Sequence, residues 1–223
     1  MTRLRLAMMG TGEFAVPTFE ALFTTPHEVV ALYTQPPRTG RGHHKHARNP
    51  MVEIADAHGV PVYRPQKVNA PDALNEMRDL RLDLLVVAAY GQILSADLLH
   101  TPRLGAINVH ASLLPKYRGA APVNYAILNG ETETGVTIFQ IEPSLDAGPI
   151  LGMESLTIGA EETAGELEPR LAQLGATLAQ AVIADLAAGT ARPVSQDDAA
   201  ATFAPKIKQE LGPIDWVRPA AQL

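Results

Sequence analysis

The sequence predicts an α/β fold: a doubly wound, mostly parallel sheet completed by a C-terminal hairpin and a long helix. Three observations point there. Short apolar runs alternate with helix-patterned segments through the first half of the chain, as in successive βαβ units. The run Leu82–Ala89, LDLLVVAA, is almost wholly apolar, as a strand covered on both faces must be. After Gly130, two strand-like runs flank a connection rich in Pro and Gly and precede one long amphipathic segment.

The elements follow in order. Leu4–Met9 is apolar apart from Arg5 and stops at Gly10, as a buried strand entering a turn does. Ala15–Phe23 reads as the helix that follows, and Val29–Thr34 as the second strand. A polar loop then runs from Gln35 to about Pro50. Met51–His58 is helical, Val60–Tyr63 a short strand and Pro71–Leu80 a helix. Leu82–Ala89 is the central strand, and Ala106–His110 another strand of the same sheet. Val136–Ile141 and Ile150–Leu156 pair as a hairpin through Pro143–Pro149. Thr163–Leu186 sets Leu167, Leu171, Leu174, Leu178, Val182 and Leu186 along one buried helical face. Beyond Gly189 the chain is polar and contains prolines, which predicts an irregular surface segment. Ligands of open α/β sheets bind beyond the carboxyl ends of the strands, where Tyr90, Gly91 and His110 fall.

With 223 residues, 46% of them hydrophobic, the chain can bury the core of one large domain, or of a domain with a short extension. Only 5% of residues are aromatic, so Leu, Val, Ile and Ala must fill that core. The absence of cysteine excludes disulfide and thiolate chemistry and fits a reducing compartment. No run approaches the roughly eighteen uninterrupted apolar residues of a membrane span, and Met1–Arg5 leads into no signal-peptide core. A cytoplasmic location is expected. A net charge of −6 argues against general nucleic-acid binding. Locally, however, Thr34–Val52 holds no acid and carries Arg38, Arg41, Lys45 and Arg48 with His43, His44 and His46. Charge of that kind contacts phosphates. Adjacent histidines on a loop give no fixed geometry, so no metal is expected there.

Gly10-Thr11-Gly12-Glu13-Phe14-Ala15 matches the dinucleotide fingerprint. The second strand nevertheless ends Tyr33-Thr34-Gln35-Pro36, without the acid that holds a ribose. Glu13 also sets negative charge where a pyrophosphate would lie. The glycines are therefore read as permitting a tight turn, and a nicotinamide-dependent dehydrogenase rests on that turn alone. The stretch Ile107–Gly119, INVHASLLPKYRG, says more. Strand alternation puts Asn108 and His110 on one face with Cα atoms roughly 6.6 Å apart. A strand that only filled a core has no need of an amide and an imidazole side by side.

Asn108-x-His110-x-Ser112-Leu113-Leu114-Pro115, followed by Arg118-Gly119-Ala120-Ala121-Pro122, resembles the folate-dependent formyltransferases. Thr134-Gly135-Val136-Thr137 and Leu145-Asp146-Ala147-Gly148-Pro149-Ile150-Leu151 continue the likeness at the expected distance. Thr34-Gln35-Pro36, Gly40-Arg41-Gly42, Ala89-Tyr90-Gly91 and Ile214-Asp215-Trp216 are most similar to the branch that formylates methionyl initiator tRNA. The likeness covers essentially the whole chain, with Gly12 standing where the family usually has Pro. It implies a Rossmann-like formyltransferase fold, with a catalytic domain over 1–189 and an extension over 190–223. On that likeness the family's C-terminal tRNA-binding β-barrel domain is expected to be absent from this sequence. It further implies 10-formyltetrahydrofolate as co-substrate, no metal, initiator methionyl-tRNA as partner, a monomeric state and a role in translation initiation. Folate contacts map onto Ser112, Leu113, Leu114 and Pro115 and onto the strand end Ala89, Tyr90, Gly91, Gln92, Ile93 and Leu94. Arg41 takes the position that approaches the tRNA acceptor end, within the cluster Arg38, Arg41, Lys45 and Arg48.

The chemistry so implied gives the polar residues roles. An amine attacks the formyl carbon and charge collects on the formyl oxygen, where two converging donors stabilise it. Asn108 offers an amide N–H and His110 an imidazole N–H, and the cationic ring is the stronger donor. Asp146, carried back by the hairpin, would favour that cation and relay the proton that the amine loses. The same Asn–His–Asp set would serve a formyltransferase acting on an amino sugar nucleotide or glycinamide ribonucleotide. The basic loop and the Thr-Gln-Pro sequence favour tRNA.

Overall fold

The computed structural model describes residues 3–37, 49–212, 214 and 216–219. In chain order its elements are β1 (Arg5–Gly10), a 3₁₀ turn (Glu13–Ala15) running into α1 (Val16–Leu22), β2 (Glu28–Tyr33), α2 (Pro50–Ala57), β3 (Val62–Tyr63) and α3 (Pro71–Asp79). Next come β4 (Leu84–Ala88), α4 (Ala96–Leu99), β5 (Ala106–His110), β6 (Arg118–Gly119) and α5 (Pro122–Leu128). Then follow β7 (Glu133–Gln140), β8 (Ile150–Thr157), α6 (Ala164–Ala188), a further 3₁₀ turn (Asp198–Ala200), β9 (Phe203–Ala204) and another such turn (Gln209–Leu211).

Seven strands form one sheet in the order β3-β2-β1-β4-β5-β7-β8. β1 to β5 run parallel, while β7 lies antiparallel to both β5 and β8. This is the doubly wound sheet and terminal hairpin that the sequence predicts. Strand alternation explains why the middle strands are apolar throughout. On one face Leu6, Met8, Leu84, Val86, Ala88, Ile107 and Val109 pack with Phe19 of α1 and Leu171, Ala179 and Val182 of α6. On the other face Ala7, Met9, Leu85 and Val87 pack with Met77 of α3 and Leu98 of α4. Each fully buried Leu or Val contributes about 1.5–3 kcal/mol, so slipping β1 or β4 by one residue would exchange whole sets between two different layers.

α6 has the length and composition of a helix able to cross a membrane, but its apolar face is covered by the sheet. A capping box of Thr163 and Glu166 starts it, and Gly189 ends it in the left-handed conformation at φ 70°.

The expectation of an irregular surface beyond Gly189 needs correction. Val194 exchanges two backbone hydrogen bonds of 2.8 Å with Ile150, and β9 pairs parallel with β6. Ala204 is fully buried. The two-residue strands β6 and β9, far apart in the chain, have no sequence period to announce them. The sequence marks α5 only weakly, by Pro122 in its first turn, where proline favours a helix start.

Candidate active site

A cleft of about 770 Å³ opens beyond the carboxyl ends of β4 and β5, a volume typical of small-molecule sites. Val87, Asn108, Val109 and His110 line it from the strands; Ala89 to Leu94 form one wall, and Gly119 to Asn124 with Pro143 to Asp146 another. The aliphatic side chains of Ile93 and Leu145 belong to this lining and remain exposed.

The wall from Ala89 to Leu94 is held from outside. Gln35 donates from Nε2 to the Tyr90 carbonyl at 2.8 Å, and Asn69 from Nδ2 to the Ile93 carbonyl at 2.8 Å. Gln92 accepts from the Val68 N–H at 3.0 Å and donates from Nε2 to the Pro65 carbonyl at 3.3 Å. Ala89 sits at φ 46°, a left-handed conformation that costs a residue with a Cβ about 1–3 kcal/mol. Burial pushes the Tyr90 phenol up to about 12, so it stays protonated.

Asn108 and His110 share the cleft face of β5. The Asn108 side chain makes no hydrogen bond among the described residues, which leaves its amide for a ligand. The His110 ring is committed at one end: Nε2 lies 3.0 Å from the Tyr117 carbonyl. A carbonyl cannot donate, so Nε2 carries the hydrogen, and Nδ1 of the neutral ring is bare. Nδ1 faces Asp146 Oδ2 at 3.9 Å, outside hydrogen-bond range but within reach of charge attraction. Burial lowers the His110 pKa below its ordinary 6.5, against the upward pulls of Asp146 and the Tyr117 carbonyl. At neutral pH the resting ring is therefore uncharged. Asp146 does pull toward the cation that the sequence leads one to expect, but loss of hydration outweighs a carboxylate that is not in direct contact.

Two further left-handed residues flank the ring. Tyr117 has φ 61° and Asp146 φ 46°. The Tyr117 hydroxyl donates to Glu131 at 2.5 Å and accepts from Asn129 at 3.1 Å, which fixes the residue whose carbonyl sets the His110 tautomer. Asp146 accepts the Gly119 N–H at 2.7 Å on Oδ2. Gln196, which sequence reasoning missed, donates from Nε2 to the Asp146 carbonyl at 2.9 Å and to the Gly148 carbonyl at 2.8 Å.

Residues 3–183 match the formyl transferase family model. The chain belongs to the formyl transferase family. It is 46% identical over 224 residues to methionyl-tRNA formyltransferase of Geobacter metallireducens, covering all of this chain and 72% of that protein. It is 48% identical over 221 residues to the protein of the same name from Citrifermentans bemidjiense, covering 99% of this chain and 69% of that protein. Among solved structures, phosphoribosylglycinamide formyltransferase from Bacillus halodurans superposes with a TM-score of 0.69 at 25% identity, covering 82% of this chain and 94% of that one. An N-formyltransferase from Helicobacter canadensis, in complex with folinic acid and dTDP-3-aminofucose, gives 0.71 at 21% identity, over 91% of this chain and 71% of that one.

Against this formyltransferase fold the expected site residues fall into three groups. Asn108, His110 and Asp146 come together in the cleft, as do Ala89, Tyr90, Gly91, Gln92, Ile93 and Leu94. Ser112, Leu113, Leu114 and Pro115 do not line the cleft; they form the turn that follows His110. Thr137 Oγ1 donates to the Ser112 carbonyl at 2.7 Å and accepts from the Leu114 N–H at 3.1 Å. Ser112 donates to the Lys116 carbonyl at 2.7 Å. These contacts pin the turn to β7 opposite His110. Arg38, Arg41, Lys45 and Arg48 lie outside the described residues. The glycine turn serves packing: a Cβ on Gly10 would stand 2.9 Å from both the Ala15 Cβ and the Ala88 carbonyl.

Proposed function

We propose that this chain transfers the formyl group of 10-formyltetrahydrofolate to the α-amine of methionine on initiator tRNA, in the cytoplasm and as a monomer, in support of translation initiation. The observation that carries the reading is the convergence of Asn108, His110 and Asp146 in one cleft of a chain 46–48% identical to two enzymes of that name. The cleft suits the co-substrate: its lining is mainly aliphatic, it presents the free Asn108 amide, and the wall beside it is pinned through its carbonyls. In this reading the catalytic domain spans 1–189, and the extension 190–223 is fastened to it through Val194 and β9.

Bound 10-formyltetrahydrofolate supplies the formyl carbon. Asn108 donates to the formyl oxygen as charge builds there, a contact worth about 2.7–4 kcal/mol in the transition state. His110 accepts the proton of the attacking amine at Nδ1, the one ring nitrogen that the Tyr117 carbonyl leaves free. General base catalysis of this kind contributes about 10²–10⁴-fold. Asp146 attracts the imidazolium so formed, and His110 returns the proton to the nitrogen that loses the formyl group. Ile93 and Leu145 give the rest of the co-substrate apolar contact. Arg38, Arg41, Lys45 and Arg48 contact acceptor-stem phosphates; the reading is supported by the lack of any acid from Thr34 to Val52.

The test is to offer 10-formyltetrahydrofolate with charged initiator tRNA, uncharged tRNA, an amino sugar nucleotide and glycinamide ribonucleotide, and to record which amine gains the formyl group. Formylation of charged initiator tRNA above all others is expected. Preferential formylation of either small amine would replace the tRNA reading.

A further inference from the structure

We infer that Gln196 is a positioning residue for the Asp146 carboxylate. The inference rests on the proposed role of Asp146 beside His110.

The connection that carries Asp146 has little of its own to hold it. The Ala147 N–H to Ser144 carbonyl contact is long, at 3.5 Å, and Asp146 itself is in the left-handed region. The carboxylate sits beside His110 because two consecutive residues of β6 grip the loop. Gly119 binds Oδ2 through its N–H. Arg118 acts through Gln196: its Nε and Nη2 donate to Gln196 Oε1 at 3.2 and 2.8 Å. With Oε1 so engaged, the Gln196 amide has one orientation, since turning it over would set oxygen against two loop carbonyls and nitrogen against a guanidinium. Both Nε2 hydrogens then go to the carbonyls of Asp146 and Gly148.

Gln196 is itself well placed to transmit that grip. Arg118 is 5% exposed, and its Nη2 also donates to Asp198 at 2.7 Å. The segment is fastened before Gln196 by Val194 on Ile150 and after it by β9 on β6. Gln196 lies beyond residues 3–183, which match the family model. Its place in the site comes from these contacts.

The test compares Gln196→Ala and Gln196→Glu with Asp146→Asn and Asp198→Ala in the full chain. Formyl transfer to charged initiator tRNA, thermal melting and the pH profile of kcat are measured. Gln196→Glu keeps an acceptor for Arg118 but loses both donated hydrogen bonds, so it separates anchoring of the segment from positioning of Asp146. Both Gln196 variants should lose about tenfold or more in kcat, the scale on which small misplacements act. KM for 10-formyltetrahydrofolate should rise less than kcat falls, because the Ala89–Leu94 wall is untouched and only the Leu145 contact lies on the loosened connection. The groups packed against His110 are Asp146 with its charge, Tyr117 with a carbonyl and Phe139 with a ring edge. Moving Asp146 away removes an upward pull, so the acid limb of kcat should shift to lower pH. Asp198→Ala removes an ion pair whose carboxylate is 80% exposed, and most of the turnover should survive.

An Asp146→Asn that loses most of its turnover beside Gln196 variants within about twofold of wild type would keep the role of Asp146 and overturn that of Gln196. Activity lost only in proportion to the folded fraction, or a lowered kcat with an unmoved acid limb, would make Gln196 merely structural and also overturn it. If Asp146→Asn turned over normally, the reading of Asp146 would fail first, and the positioning role with it.

Discussion

β5 and the β7–β8 connection each supply part of the proposed catalytic set, and they hold it by opposite means. Asn108 and His110 stand on a strand paired on both sides, opposite Val87 in one neighbour and Phe139 and Thr137 in the other. Moving them means opening the sheet. Asp146 stands on no strand, has φ 46°, and is held by hydrogen bonds from Gly119 and Gln196. The strand fixes the proposed donor and the proposed base against each other. The connection sets the charge beside them and can be loosened without disturbing the core. Damage on β5 should therefore remove chemistry outright, and damage around Asp146 should weaken it by degrees.

His110→Ala should show the largest effect, about 10²–10⁴-fold in kcat, in a chain that still folds cooperatively but melts lower, because the Tyr117 carbonyl loses its buried partner. Asn108→Ala should cost about 2.7–4 kcal/mol of transition-state stabilisation, read from kcat/KM. Near-normal turnover of either variant would break the comparison at its strand end. Asp146→Asn keeps an oxygen for the Gly119 N–H but loses the charge, so it should bind folate and lose most, not all, of its turnover. Unfolding of that variant would mean that the residue serves the turn. Gly119→Ala tests the grip itself. Its Cβ would fall 2.7 Å from the Ala204 carbonyl at a φ of +121°, so β9 must move off β6. A lowered melting temperature together with a lowered kcat is expected, and a variant that melts and turns over like wild type would show that β9 is not needed.

The pH dependence sharpens the strand half. Burial lowers the His110 pKa from 6.5, and the bare Nδ1 must be unprotonated to accept a proton. The acid limb of kcat should thus have its midpoint below 6.5. The stability sign follows from the same shift. The unfolded chain takes up a proton near 6.5 that the folded ring resists, so the unfolded state binds more protons and stability falls as pH drops through that value. His110→Gln should flatten that slope in urea melts between pH 7 and 5. An unchanged slope would place the loss of acid stability elsewhere.

The same contrast explains what the sequence reveals. β5 could be read to the residue, because period-two alternation and a polar pair on one face are local facts. The hairpin was readable because its Pro- and Gly-rich connection lies between two apolar runs. The His110 tautomer was not, since it depends on the backbone conformation of Tyr117. The Gln196 contact was not either, since it joins residues 50 apart through side-chain donors and no hydrophobic pattern leads to it. Ser112 to Pro115 mark the site in the sequence, yet they support its floor from behind. The resemblance named residues of the candidate cleft without sorting those that line it from those that support it.

The smallest effect is expected in the Ala89–Leu94 wall, and it tests whether multiple anchoring gives tolerance. Ser95 follows this wall and caps α4, its Oγ accepting from the Leu98 N–H at 3.3 Å while its own N–H donates to Asn69 at 2.9 Å. Ser95→Ala removes the side-chain cap and leaves the backbone bond to Asn69 in place. Loss of a cap of this type costs about 1 kcal/mol, visible as a lowered denaturation midpoint at constant m-value. The wall itself should keep its position, because Gln35, Asn69 and the Gln92 contacts to Val68 and Pro65 all remain. KM for 10-formyltetrahydrofolate should change by less than about twofold and kcat not at all, as for a loss of ground-state order far from the reacting atoms. A large rise in KM would mean that the wall hangs on its cap. The two halves of the cleft would then be equally fragile, and the contrast between a fixed strand and an adjustable connection would have to be redrawn around the single hydrogen bonds that secure each.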